Sequence, residues 1–104
     1  MKIIAVTACP SGVAHTYMAA ESLKKAASKL GVEIKVETQG GVGIENHILP
    51  EDVKSADYVI LTKEVAIKDE DRFHGKRVIK VKITDAVKKA ESIIEKAMEH
   101  YKTI

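Results

Sequence analysis

Four short apolar runs divide the chain, at 2–7, 33–38, 58–62 and 77–82, and each has the length and β-branched content of a strand. The first and third are almost continuously apolar, as strands covered on both faces must be. The second alternates Ile34 and Val36 with Lys35 and Glu37, and the fourth is mixed. This pattern predicts the first and third runs at the centre of a sheet and the second and fourth at its edges. Between the first two runs Ala20, Leu23, Ala27 and Leu30 recur at helical spacing and Gly31 supplies a stop, which predicts a helix from about His15 to Leu30. After the fourth run Thr84 or Asp85 can cap a last helix whose apolar stripe is Val87, Ala90, Ile94, Ala97 and Tyr101. Pro50-Glu51-Asp52-Val53 reads as the first turn of a short middle helix ending near Ser55.

Strands alternating with helices predict an α/β fold with right-handed crossovers: three layers, a four-stranded parallel sheet of order 2-1-3-4, and helices on both faces. In that order the chain reverses direction across the sheet between strands one and three, and ligands bind at the carboxyl ends of the strands beside such a point. The loop after the first strand lies there. No internal repeat or linker interrupts the pattern, so residues 1–104 read as a single domain.

Composition narrows the functional classes. A chain of 104 residues, 45% hydrophobic and 31% charged, can bury a core without disulfides or metal, which excludes disordered and disulfide-scaffold classes. The net charge is +2 and the aromatic residues are four, Tyr17, Tyr58, Phe73 and Tyr101, so there is no basic field with stacking platforms and nucleic acid is not expected as a partner. The apolar start at 3–6 is closed by Cys9-Pro10, short of a secretion signal, and no run approaches the ~20 residues of a membrane span. A soluble cytoplasmic protein is expected, and a single cysteine agrees with a reducing compartment.

The chemistry-bearing segment is Cys9-Pro10-Ser11-Gly12-Val13-Ala14-His15-Thr16, which leaves a buried strand and enters a helix. Gly12 permits backbone geometry closed to other residues, and successive amides from Ser11 to Thr16 can converge as an anion-binding nest at the helix amino terminus. Partial positive charge there favours the thiolate of Cys9. Ser11 and Thr16 add hydroxyl donors, His15 adds a donor whose charge changes near neutral pH, and Pro10 stiffens the loop. Such a set suits a cysteine that accepts a phosphoryl group and gives it away. Taken singly, Cys9 also fits a small hydrophobe at a strand end, and Ser11, Gly12, His15 and Thr16 fit ordinary turn and capping roles. A redox site would need a second cysteine nearby, which is absent. A low-molecular-weight-type cysteine phosphatase has a similar loop with an arginine six residues after the nucleophile. His15 stands there instead, which weakens the grip on a hydrolytic transition state.

These residues, with Met18-Ala-Ala-Glu21 after them, resemble the active-site loop of the fructose-type enzyme IIB component of the bacterial phosphoenolpyruvate-dependent sugar phosphotransferase system. Further similar blocks are Lys35-Val-Glu-Thr-Gln-Gly40 with Gly43, Ala56-Asp57 before the third strand, and Arg72-Phe73 with Gly75-Lys76 before the fourth. The resemblance spans nearly the whole chain up to the last helix. It departs after the third strand, where the family often has an aspartate and this chain reads Thr62-Lys63-Glu64.

The resemblance implies a relay in which a phosphohistidine of enzyme IIA donates to Cys9 and the phosphocysteine delivers the group to a sugar, fructose by expectation, bound by membrane enzyme IIC. Pro10, Ser11, Gly12, Val13, Ala14, His15 and Thr16 carry over as the loop enclosing the phosphoryl group. Localisation would be cytoplasmic, at the inner face of the membrane through enzyme IIC. No cofactor and no metal are called for, since His15, His47, His74 and His100 have no partners at ligand spacing. Gln39, Gly40 and Gly41 should reach the same end of the sheet as Cys9, where they serve either as a mobile turn or as a partner contact with Gln39 as a hydrogen-bond handle. His47, His74 and His100 are read as surface residues. Two other readings stay open, a cysteine phosphatase and a regulatory binding module on the same fold.

Overall fold

The computed structural model describes residues 1–9, 13–41 and 43–102, with the side chains of residues 13 and 102 left aside. Its strands are β1 (Lys2–Ala8), β2 (Glu33–Gly40), β3 (Gly43–Glu45), β4 (Tyr58–Thr62) and β5 (Val78–Val81). Its helices are α1 (Val13–Lys29), α2 (Pro50–Ser55), α3 (Ile83–Lys88) and α4 (Ala90–Lys102), with one turn of 3₁₀ helix at Glu70–Phe73.

The sheet order is β3-β2-β1-β4-β5. The four expected strands keep their expected order and are parallel, β1 pairing with β2 and β4, and β4 with β5. The expected four-stranded, all-parallel sheet with β2 at an edge is corrected in one respect. Gly43–Glu45 turns back antiparallel on β2, with Gly40 opposite Gly43, so the sheet is mixed and five-stranded and β2 is interior. All three residues of β3 are exposed, so no apolar alternation marks the strand in the sequence. The segment 39–43, read either as a mobile turn or as a partner contact, is largely strand, a hairpin with Gly41 in its tip.

Two apolar clusters close the two faces. On one, Ile3 and Ala5 of β1, Val36 of β2 and Ile60 of β4 pack against Ala19, Leu23 and Ala27 of α1, Ala86 of α3 and Ile94 of α4. Small residues on α1 let its backbone lie close to the sheet. Gly31, at φ +72°, ends the helix in the left-handed region, where Val32 N–H returns to Ala27 O at 2.8 Å. On the other face Ile4, Val6, Ala8, Val59 and Leu61 meet Ile48, Ile67 and Phe73. That side carries only α2, the 3₁₀ turn and their connections.

The last helix is not continuous. Lys89, at φ −128° and ψ 33°, separates α3 from α4, although Lys89 N–H to Asp85 O and Ile93 N–H to Lys89 O still bridge the kink. Thr84 and Asp85 are not its caps. The helix begins at Ile83, and both carboxylate oxygens of Glu64, on the loop after β4, lie 3.0 Å from Ile83 N–H. A cap supplied from nineteen residues away leaves no local signature. Tyr101, expected in the apolar stripe, is 43% exposed.

Candidate functional site

The parallel register brings the carboxyl ends of β1, β2, β4 and β5 to one edge, and β1 ends at Ala8, one residue before Cys9. Cys9 is half-buried and packs against the core beneath α1. It thus stands between β2 and β4, where the crossovers leave in opposite directions.

Threonines fasten both ends of the loop. Thr7 Oγ1 donates to Thr16 O at 3.0 Å, tying the end of β1 to the first turns of α1. Thr62 Oγ1 accepts Ala8 N–H at 3.0 Å and donates to Ala8 O at 3.2 Å, so β4 holds the backbone of the residue before the thiol from its other side. Both threonines are almost wholly buried, which makes these bonds costly to lose.

Pro10, Ser11 and Gly12 lie outside the described residues. Val13 opens α1; Ala14 and His15 are exposed, and Thr16 is fully buried. Thr16 Oγ1 finds no hydrogen-bond partner among the described residues, and neither do the buried Thr38 Oγ1 and Tyr17 Oη. Thr7 and Thr38 are register partners, and α1 carries Thr16 and Tyr17, so these hydroxyls gather at the carboxyl edge under α1. Thr38 and Tyr17 were not singled out from the sequence. A threonine that continues an Ile/Val alternation inward is the signal that points to Thr38.

Gly40 lies against the first turns of α1. A Cβ there would meet Tyr17 Oη at 3.1 Å and Thr16 Cγ2 at 3.8 Å, so the missing side chain admits Tyr17. Burial raises the pKa of Tyr17, and the neighbouring Glu45 carboxylate adds to the rise. Gly41 is exposed at the hairpin tip.

Gln39 is engaged within the chain. Its Oε1 accepts Lys68 N–H at 2.9 Å, and its Nε2 donates to Lys68 O at 3.2 Å and to Glu37 Oε2 at 2.8 Å. Glu37 is a completely buried carboxylate with every oxygen used. Arg72 grips it in a fork, Nη1 to Oε1 at 2.9 Å and Nη2 to Oε2 at 2.6 Å, while Ile48 N–H donates to Oε1 at 2.9 Å and His47 Nδ1 lies 3.1 Å from Oε1. Burial alone would raise the Glu37 pKa, but the Arg72 hydrogen bonds, Ile48 N–H, the Gln39 amide and the Arg72 charge together hold it below the usual range.

Of the histidines expected on the surface, His47 is half exposed yet borders Glu37, and His100 Nδ1 is 2.9 Å from Tyr58 Oη. Among the described residues no group of three His, Cys, Asp or Glu side chains is placed to hold a metal ion, and no helix is long and apolar enough to cross a membrane.

Residues 4–96 match the family model described as "PTS system, Lactose/Cellobiose specific IIB subunit". The chain belongs to that family. Among its relatives is the "PTS system fructose-like EIIB component 2" of Escherichia coli K12, 63% identical over 99 residues that cover 95% of this chain and 93% of the relative. The "PTS system fructose-specific EIIABC component" of Bacillus subtilis is 47% identical over 97 residues, 93% of this chain but 15% of that longer protein. Solved structures share the fold. A domain of the fructose-specific IIABC component of Borrelia burgdorferi superposes with a TM-score of 0.88 at 51% identity, covering 94% of this chain and 93% of that one. The enzyme IIB subunit of Escherichia coli K12 gives 0.91 at 40% identity, covering 98% and 94%. The chain is therefore an EIIB phosphotransferase component of the fructose-like kind.

Proposed function

We propose that this IIB chain is a phosphoryl carrier with Cys9 as its phosphorylated residue, receiving the group from a phosphohistidine of an enzyme IIA and passing it to a sugar, fructose or a close relative, held by a membrane enzyme IIC. The observation that carries the reading is the position of Cys9, the chain's single thiol, at the carboxyl end of the central strand, where a helix begins four residues later and threonines fix the loop at both ends. The fused EIIABC relative supports partners of these two kinds. The sugar would be chosen by the membrane partner, and the fructose-like names of the relatives favour fructose over the lactose or cellobiose of the family description.

In the first transfer the Cys9 thiolate attacks phosphorus, the S–P bond forms as the N–P bond breaks, and the released imidazole takes up the proton the thiol gave up. In the second a sugar hydroxyl attacks, the S–P bond breaks, the thiolate returns and the hydroxyl proton passes to solvent. The protein's part is alignment and neutralisation of the equatorial oxygens. Residues 10–16 are the enclosing loop in this reading, and the buried hydroxyl of Thr16, which has no partner among the described residues, supports a role in donating to a ligand oxygen.

Both arginines of the chain are engaged elsewhere among the described residues. Arg72 is forked onto Glu37, and Arg77 Nη1 lies 3.4 Å from His100 O. A hydrolytic enzyme would want one at the Cys9 loop to clamp the transition state, whereas a carrier gains from weak stabilisation of attack by water. This favours transfer over the phosphatase reading.

The test is intact-mass analysis near neutral or mildly alkaline pH after incubation with phosphoenolpyruvate, the general phosphocarrier proteins and a fructose-type enzyme IIA. One phosphoryl group on the wild type and none on Cys9→Ala is the expected result. No phosphoryl group from a demonstrably active donor would return the phosphatase and binding-module readings.

A further inference from the structure

The Glu37–Gln39–Arg72 cluster has an output at the same edge as Cys9. One side chain, Gln39, brackets both backbone polar groups of one residue, Lys68, with its carbonyl accepting the N–H and its amide donating to the C=O. Gln39 is in turn fixed by its bond to the buried Glu37, which Arg72 and Ile48 N–H immobilise. Gln39 is the register partner of Ala8, the residue before Cys9. Ile67, beside Lys68, is buried in the same apolar cluster as Ala8, and Asp69, at φ +58°, turns the chain away into the 3₁₀ helix.

Lys68 is therefore held level with the base of the Cys9 loop through Gln39, Glu37 and Arg72 in turn, while its own side chain is exposed and makes no ion pair with another described residue. Lys63 differs: its backbone N–H bonds Val81 O, so it leaves β4 on the side away from β1. A lysine at a fixed backbone position with a free ammonium is suited to meet a dianionic group, because its long stem lets the charge follow an incoming ligand.

We propose that Lys68 engages the dianionic phosphoryl group of the incoming donor as it approaches Cys9, and that Gln39 is a positioning residue that acts through Lys68. The inference rests on the carrier reading above.

Initial rates of Cys9 phosphorylation are measured against the concentration of phosphorylated enzyme IIA at low and high salt, with end-point stoichiometry read by intact mass. Lys68→Ala raises the donor KM about five-fold at low salt, the difference shrinks at high salt, and the end point is unchanged. Lys68→Arg restores the wild-type KM, and Lys25→Ala, the same charge lost on the far half of α1, leaves it unchanged. Gln39→Ala gives a smaller rise that is absent when Lys68 is already alanine, a non-additivity that a general loss of stability does not produce. Full phosphorylation with an unaltered KM in Lys68→Ala overturns this inference alone, as do additive effects of the two substitutions. A wild type that takes no phosphoryl group overturns the carrier reading, and this inference with it.

Discussion

Beneath α1, α3 and α4 the sheet is covered by aliphatic side chains, Ile3, Val36 and Ile60 against Leu23, Ala27 and Ile94. Across the sheet the cover is thin, and the same strand β2 that presents Val36 to the helices presents Glu37 to the other side, where Arg72, Ile48 N–H and Gln39 surround it. The first face is held by area removed from water, which tolerates small shifts. The second adds to its own apolar cluster a set of directional bonds to a buried charge, which fix a loop in one place and fail abruptly when one partner goes. The difference matters because the loops that reach the Cys9 edge from the second face have no long helix to fix them.

The largest effect is expected from breaking the polar side. Glu37→Ala leaves Arg72, only 17% exposed, without its counter-charge and costs about 3–5 kcal/mol in urea unfolding. Replacing both residues, Glu37→Met with Arg72→Met, removes the orphaned charge and should recover most of that loss. Recovery of stability without recovery of the Lys68-dependent donor KM would show that the ion pair serves position more than stability.

Leu23→Ala probes the apolar side. The side chain is fully buried, and its truncation costs about 3 kcal/mol. The two variants separate on acidification. Glu37 has a folded-state pKa below its unfolded value, so its contribution is complete above about pH 4.3 and is lost as pH falls through the folded value. The gap between wild type and Glu37→Ala should thus narrow below about pH 4, and that between wild type and Leu23→Ala should stay constant. Asp52 carries the same sign, held well below the usual carboxylate range by its hydrogen bonds from Lys35 and Leu49 N–H and, despite some burial, from Lys2. A wild-type acid transition that persists in Glu37→Ala is therefore assigned by adding Asp52→Asn.

The same contrast explains what could be read from the chain alone. Apolar periodicity locates the four parallel strands and α1 because burial on a regular element repeats at a fixed spacing, and Tyr58–Thr62 falls where its run predicts it. Cys9 and its loop are legible because chemistry concentrates in contiguous residues between a strand and a helix. The polar face is not legible in this way. Glu37 looks like the outward residue of an alternating strand, and its meaning depends on Arg72, thirty-five residues away. Glu64 caps α3 by the same kind of distant contact, and β3 is too short and too exposed to leave a pattern.

Thr62 joins the two sides, since a β4 hydroxyl holds the strand that carries Cys9. Thr62→Val keeps the shape but leaves Ala8 N–H and C=O without that partner, at a cost of about 1–2 kcal/mol. The expected signature is a slower approach to full Cys9 phosphorylation out of proportion to the lost stability, measured beside Leu23→Ala, which is destabilised more but leaves the loop anchors in place. Equal slowing in the two variants would reduce Thr62 to a general contributor to folding.

The smallest effect is expected at Gly40, where the aliphatic face and the hairpin meet. A methyl group there lies 3.1 Å from Tyr17 Oη, close enough that the ring must give by a few tenths of an ångström, and the contact is with the far end of a side chain that can move. Gly40→Ala should cost about 1 kcal/mol, near the lower end of the usual range for overpacking. Because the offending atom is the hydroxyl, Tyr17→Phe in the same chain should remove most of the penalty. A penalty in Gly40→Ala that survives Tyr17→Phe would place the constraint in the hairpin backbone, where Gly40 pairs with Gly43, and would move Gly40 from the α1 side of the comparison to the sheet.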